Sequence, residues 1–173
     1  MSIMNIHGYK GAPHNAAYSA LCGLEKNIIS PEIDYDSENP EVILNRLLDI
    51  CAAEKIDMIV GTSLGGFFAS VIAAGLHKPL LLVNPCLQPQ NVIPALGYDG
   101  DAGWFAKTSA AFDELDTERV RCIIGGKDEV IGDHAYTKEL LGIERIIVIP
   151  DGMHSGSTLD LEKHFPEMMR EIF

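Results

Sequence analysis

The chain has 173 residues, 47% hydrophobic and 22% charged, which suffices for one domain with a sizeable core and is too apolar for extended disorder. Its 13 basic and 25 acidic residues leave a net charge of −12, spread along the sequence. That balance argues against nucleic acid and anionic membrane surfaces as partners, since both call for a basic patch.

No apolar run approaches the ~18 residues of a membrane span. The N-terminus, Met-Ser-Ile-Met-Asn-Ile-His-Gly, has neither the basic region nor the long apolar stretch of a signal peptide. The four cysteines, Cys22, Cys51, Cys86 and Cys122, show no C-x-x-C spacing. Reduced thiols and a cytoplasmic location are therefore expected. Cys22, Cys51 and Cys122 read as small core residues, and Cys86 as a residue just past a strand.

In chain order, residues 2–6 form a short apolar strand ending in His7-Gly8-Tyr9. Residues 15–24 read as a helix with Ala16, Ala17, Ala20, Leu21 and Leu24 on its apolar stripe. A second strand covers about 27–33, followed by an acidic loop. Asn39-Pro40-Glu41 has an N-cap residue, an N1 proline and a first-turn acid in the right order to start a helix, which runs to about residue 54. Residues 58–60 are a third strand, and Phe67, Phe68, Val71 and Ile72 continue at helical spacing to Gly75. Residues 79–83 are a fourth strand. The stretch 86–107 is irregular, with breakers at Pro89, Pro94, Gly97, Gly100 and Gly103 beside apolar Ile93, Tyr98, Trp104 and Phe105. A helix over 108–115, a strand over 119–124, a helix over 133–141 and a strand over 144–149 follow. Pro166 is expected to start the terminal helix.

Six short apolar strands alternating with helices predict a single α/β domain, a three-layer α/β/α sandwich around a mainly parallel sheet. Chemistry in such sheets gathers beyond the carboxyl ends of the strands. The residues that follow strands are His7–Tyr9, Ser63, Asn84–Cys86, Asp128 and His154, and they should share one edge.

Between the third strand and its helix, Gly61-Thr62-Ser63-Leu64-Gly65 has the G-x-S-x-G pattern of a nucleophile elbow. The glycines give room for a strained turn whose serine is thrust outward. A serine hydroxyl needs a base to remove its proton, and the base needs a carboxylate to fix its tautomer. His154 and Asp128 follow Ser63 in that order, each on a Gly-bearing turn after a strand. Glu129 and Asp133 are rival acids, Asp133 also suiting a helix cap. The backbone N–H groups of Leu64 and Tyr9 are the candidate donors to an oxyanion. His7 reads as a buried histidine that holds the Tyr9 loop. Ile93, Tyr98, Trp104 and Phe105 are candidates for an apolar substrate wall, with core packing as their alternative. Cys86 lacks an elbow and reads as pocket lining. His7 with His14, or Asp133 with His134, lack any metal-ligand spacing. No Gly-Lys-Ser/Thr follows the glycine run, so it is not a phosphate loop.

With these residues placed, the chain resembles the α/β-hydrolase superfamily over nearly its whole length, and more closely the small bacterial YqiA-like esterases. His7-Gly8-Tyr9, Gly61-Thr62-Ser63-Leu64-Gly65-Gly66, Val83-Asn84-Pro85, Gly126-Lys127-Asp128-Glu129-Val130 and Gly152-Met153-His154 carry the resemblance. It implies a sheet of order 2-1-3-4-5-6 and ester hydrolysis through an acyl-serine, without cofactor or metal. It also implies a minimal lid over 86–107. The expected substrate is a small-molecule ester. A thioester such as an acyl-CoA, an amide, or a non-catalytic binding role remain alternatives, and the sequence leaves the oligomeric state open.

Overall fold

The computed structural model describes residues 1–173. The first strand, β1 (Ser2–Ile6), leads to helix α1 (Ala16–Cys22) and a three-residue β2 (Asn27–Ile29). Helix α2 (Pro40–Ala53), strand β3 (Met58–Thr62), helix α3 (Leu64–Leu76) and strand β4 (Leu80–Val83) follow. After a stretch of 3₁₀ turns come α4 (Ala102–Thr108), β5 (Val120–Gly125), α5 (Ala135–Leu141), β6 (Ile146–Ile149) and α6 (Leu161–Ile172). The strands form one sheet of order β2-β1-β3-β4-β5-β6, and every neighbouring pair is parallel.

Alternation along the strands divides the core between the two faces. Met4, Ile59, Leu80, Leu82 and Cys122 point into a cluster covered by α2, α3 and the segment after β4. Ile3, Met58, Val60, Leu81, Val83 and Ile123 point into a second cluster covered by α1 and α6. Burial on both faces explains why the strands read as unbroken apolar runs. The helix starts follow capping chemistry: Asn15 Oδ1 accepts from Tyr18 N–H at 2.9 Å, and Asn39 Oδ1 from Glu41 N–H at 2.9 Å.

Several local expectations need correction. Helix α1 stops at Cys22, which is exposed rather than a core residue, and Leu24 is exposed beyond it. The helix expected over 108–115 is displaced: α4 ends at Thr108, and Ser109–Glu114 is a 3₁₀ stretch. Pro166 lies inside α6 instead of starting it. The carbonyl deprived of a partner there belongs to Glu162, an exposed residue in the first turn, where the loss is tolerable.

The irregular segment is anchored in the core. Phe105 meets Phe67 edge-on at 5.2 Å, and Trp104 stacks on Phe68 at 5.9 Å. Ile93 and Phe105 are each 1% exposed and Tyr98 is 7% exposed. These three side chains join the core cluster on the α3 side of the sheet, the packing alternative to a substrate wall. Trp104 alone of the four is half-buried.

Candidate active site

The turn from β3 to α3 throws Ser63 into φ 51°, ψ −122°, a conformation that costs a non-glycine residue ~1–3 kcal/mol. Its neighbours make room. A Cβ on Gly61 would lie 2.6 Å from Ala69 Cβ and 2.7 Å from Gly66 Cα. One on Gly65 would overlap Ile6 O and stand 2.5 Å from His7 O. One on Gly8 would come within 2.8 Å of Ser63 Cβ. Ser63 N–H donates to Val83 O at 3.0 Å and Ser63 O accepts from Cys86 N–H at 3.0 Å, tying the elbow to the end of β4.

Asp128 follows β5 and His154 follows β6, and both arrive beside the serine. Ser63 Oγ is 3.0 Å from His154 Nε2, and His154 Nδ1 is 2.9 Å from Asp128 Oδ2 and 3.0 Å from Oδ1. An ionised carboxylate only accepts, so Nδ1 carries the hydrogen and Nε2 presents its lone pair to the serine O–H. The His154 ring keeps 19% exposure while the Asp128 side chain has none. Burial alone would raise the Asp128 carboxyl. Donation from His134, His154, Ile131 N–H and Val130 N–H outweighs it and holds the group well below the usual carboxylate range.

The rival acids have other work. Glu129 Oε2 accepts the backbone N–H of His154 at 3.0 Å, which lowers its own carboxyl and pins the histidine loop. Asp133 Oδ1 accepts from Ala135 N–H at 3.0 Å at the start of α5. Burial first, and the Asp128 charge second, push the Cys86 thiol up to about 12, so it stays protonated and inert at neutral pH.

Across the serine, the loop after β1 is fixed through His7, which is 2% exposed. Its Nε2 accepts from Ile33 N–H at 3.1 Å, which places the hydrogen on Nδ1 for donation to Gly8 O at 2.9 Å. Tyr35 Oη donates to His7 O at 2.6 Å. Both ring nitrogens are thus spent on backbone, and the histidine holds the loop. The Tyr9 backbone N–H has no acceptor within the protein. Leu64 opens α3, so its N–H is one of the unpaired donors of a first helical turn.

Residues 2–170 match the family model described as uncharacterised protein family UPF0227. The chain belongs to that family. No curated protein matches it. Among solved structures, it is similar to a hydrolase of the alpha/beta superfamily from Xanthomonas campestris pv. campestris, at 21% identity and TM-score 0.61, over 99% of this chain and 96% of that one. It is also similar to Est1E from Butyrivibrio proteoclasticus, at 16% identity and TM-score 0.64, covering 97% and 88%. The esterase RhEst1 from Rhodococcus sp. ECU1013 gives 15% identity and TM-score 0.59, covering 99% and 90%. The UPF0227 chain therefore has the α/β-hydrolase fold, as the resemblance implied.

Two residues of the site escaped sequence reasoning as positioners. Asn84, fully buried with φ 42°, accepts from Gly125 N–H at 2.7 Å and donates to Met153 O and His154 O, each at 2.8 Å. It joins the ends of β4 and β5 to the histidine loop. The run Val83-Asn84-Pro85 after a strand was the available signal. His134, weighed only as a metal ligand, places Nε2 2.8 Å from Asp128 Oδ2. A cavity of about 210 Å³ borders His134 but none of Ser63, Asn84, Asp128 or His154, and is lined also by Cys86, Leu87, Val92, Ile131 and Tyr136 among others. None of Ile93, Tyr98, Trp104 or Phe105 lines it.

Proposed function

We propose that the protein is a serine hydrolase that cleaves small carboxylic esters through an acyl-serine intermediate. The observation that carries this reading is the unbroken relay from Ser63 Oγ through His154 to Asp128, at 3.0 and 2.9 Å. His154 takes the Ser63 proton as Oγ attacks the ester carbonyl. The N–H groups of Tyr9 and Leu64 receive the oxyanion, which a helix N-terminus also favours. His154 then returns the proton to the leaving alcohol. Water repeats the sequence on the acyl-serine, releasing the acid, while Asp128 keeps the ring in its working tautomer and stabilises the imidazolium.

Electrostatics support a neutral or cationic ester over the alternative of an acyl-CoA thioester. Tyr9 Oη donates to Asp36 Oδ1 at 2.6 Å, and this bond chiefly pushes the phenol up to about 12. The Tyr98 hydroxyl is raised by burial and then by the charges of Asp101, Asp99 and Asp36. A rim with that many carboxylates beside the Tyr9 loop opposes a polyanionic leaving group. Protein treated with a fluorophosphonate probe should gain one adduct by intact mass, on Ser63, and Ser63→Ala should gain none. Absence of labelling would favour the non-catalytic binding role. An ester panel against acyl-CoA substrates, read as kcat/KM, separates the two hydrolytic readings.

A further inference from the structure

Asp128 accepts from four donors, and of the two side chains among them one, His134, is not part of the Ser63–His154 relay. Val130 N–H and Ile131 N–H meet Oδ1 at 2.9 Å each, His154 Nδ1 straddles both oxygens, and His134 Nε2 meets Oδ2 at 2.8 Å. The side chains of His134 and Asp128 are both completely shielded from solvent. Since the carboxylate can only accept, the His134 hydrogen sits on Nε2.

Stability alone does not account for this histidine. Its backbone has φ 53°, a left-handed conformation uncommon for any residue with a side chain. Its Nδ1 is buried with no partner. Burying an unpaired polar atom in a strained residue costs free energy, and sites that persist in that condition are concentrated where function needs them. All the polar capacity of the ring that finds a partner goes into one bond, to the oxygen that His154 also uses.

We propose that His134 is a positioning residue that orients Asp128 through Oδ2 and draws off part of its charge, thereby setting the basicity of His154. This rests on the serine-hydrolase reading of the same site. His134 and His154 compete for one anion. With His134 in place, the carboxylate stabilises the His154 imidazolium less than it otherwise would, and the carboxylate plane is held toward Nδ1. The other titratable groups facing the pair are Ser63 from the elbow, the Cys86 thiol after β4 and Glu129 on the acid's own turn. Glu129 is engaged by the His154 backbone N–H.

The test uses His134→Asn first, because asparagine is among the residues that best accept a left-handed backbone and its amide is too short to reach Oδ2. Normalised by fluorophosphonate titration, kcat should fall about ten-fold with KM within about two-fold. The acid limb of the kcat/KM profile, and the His154 ring titration followed by NMR, should both move up by about half to one pH unit. His134→Gln, whose amide nitrogen reaches the Nε2 position, should recover most of the lost rate and return the titration toward wild type. A His154 titration that is unmoved or moves down in the asparagine variant overturns the proposal, as does failure of glutamine to restore it in folded protein. Wild-type protein supplies an arm that needs no variant: ring ¹⁵N shifts must show His134 protonated at Nε2. Protonation at Nδ1 instead would also overturn it. The NMR readouts do not depend on turnover, so an unlabelled Ser63 would refute the hydrolase reading while leaving the role of His134 separately decided.

Discussion

The serine and the acid–histidine pair meet at one edge of the sheet, beyond the ends of β3, β5 and β6, but different forces hold them. Ser63 is placed by steric exclusion: missing Cβ atoms at Gly8, Gly61 and Gly65 let backbone approach backbone, and the tension in φ 51° is contained by α3. Asp128 and His154 are placed mainly by polar bonds from Asn84, Glu129, His134 and the turn N–H groups. Glycines add close approaches there too, since a Cβ on Gly125 would stand 2.6 Å from Met153 O and one on Gly126 2.7 Å from Pro150 O. In the proposed hydrolysis, the rigid half suits a group that must strike at one angle. The polar half suits groups whose charge would change in each cycle, because hydrogen bonds respond to charge and packing does not.

Perturbing the polar half at its centre should have the largest effect. Asp128→Asn replaces an acceptor by an amide that stabilises the wrong His154 tautomer, and kcat should drop ~10⁴-fold with the fold retained, as judged by steady-state kinetics and circular dichroism. Perturbing the steric half should instead remove stability. Gly65→Ala drives a methyl into Ile6 O and His7 O and should cost about 3 kcal/mol or more, read from denaturant unfolding, with activity lost only in proportion to unfolded protein.

Asn84→Gly sharpens the contrast, because glycine accepts φ 42° freely and only the side chain's three hydrogen bonds are lost. Stability should fall by about 2–3 kcal/mol. The rate per labelled serine should fall about ten-fold as the His154 loop loosens. Acid provides the mildest probe. The folded Asp128 carboxyl lies below its ordinary value, so its contribution is complete above about pH 4 and is lost as pH falls further. Melting temperature should therefore decline more steeply below pH 4 in wild type than in Asp128→Asn. Equal slopes would show that the polar half contributes nothing through this group.

The same contrast explains what was legible in the sequence. Steric exclusion leaves a local signature, so Gly61-x-Ser63-x-Gly65 between an apolar strand and a helix pointed to the elbow. The parallel order of the sheet followed from the alternation of strands and helices together with the resemblance. Polar positioners leave no such signature. The partners of Asn84 lie 41, 69 and 70 residues away, so Val83-Asn84-Pro85 after a strand marks its place at the sheet edge but not what it holds. His134 lies six residues from Asp128, a spacing with no helical or strand period behind it. Ile93, Tyr98 and Phe105 were ambiguous for another reason. An apolar residue in a breaker-rich stretch suits a pocket wall and a core equally, and the edge-on meeting of Phe105 with Phe67 and Tyr98 leaves no local sequence pattern.

Ser63 and His154 are 91 residues apart, on strands separated in the sheet by β4 and β5. A chain emerging from the ribosome carries the proposed nucleophile long before it carries the proposed base. Through that interval the proposed nucleophile would lack the base that activates it. Turnover by the proposed site begins only when the last strand docks, so the appearance of activity during synthesis or refolding would time the completion of the sheet.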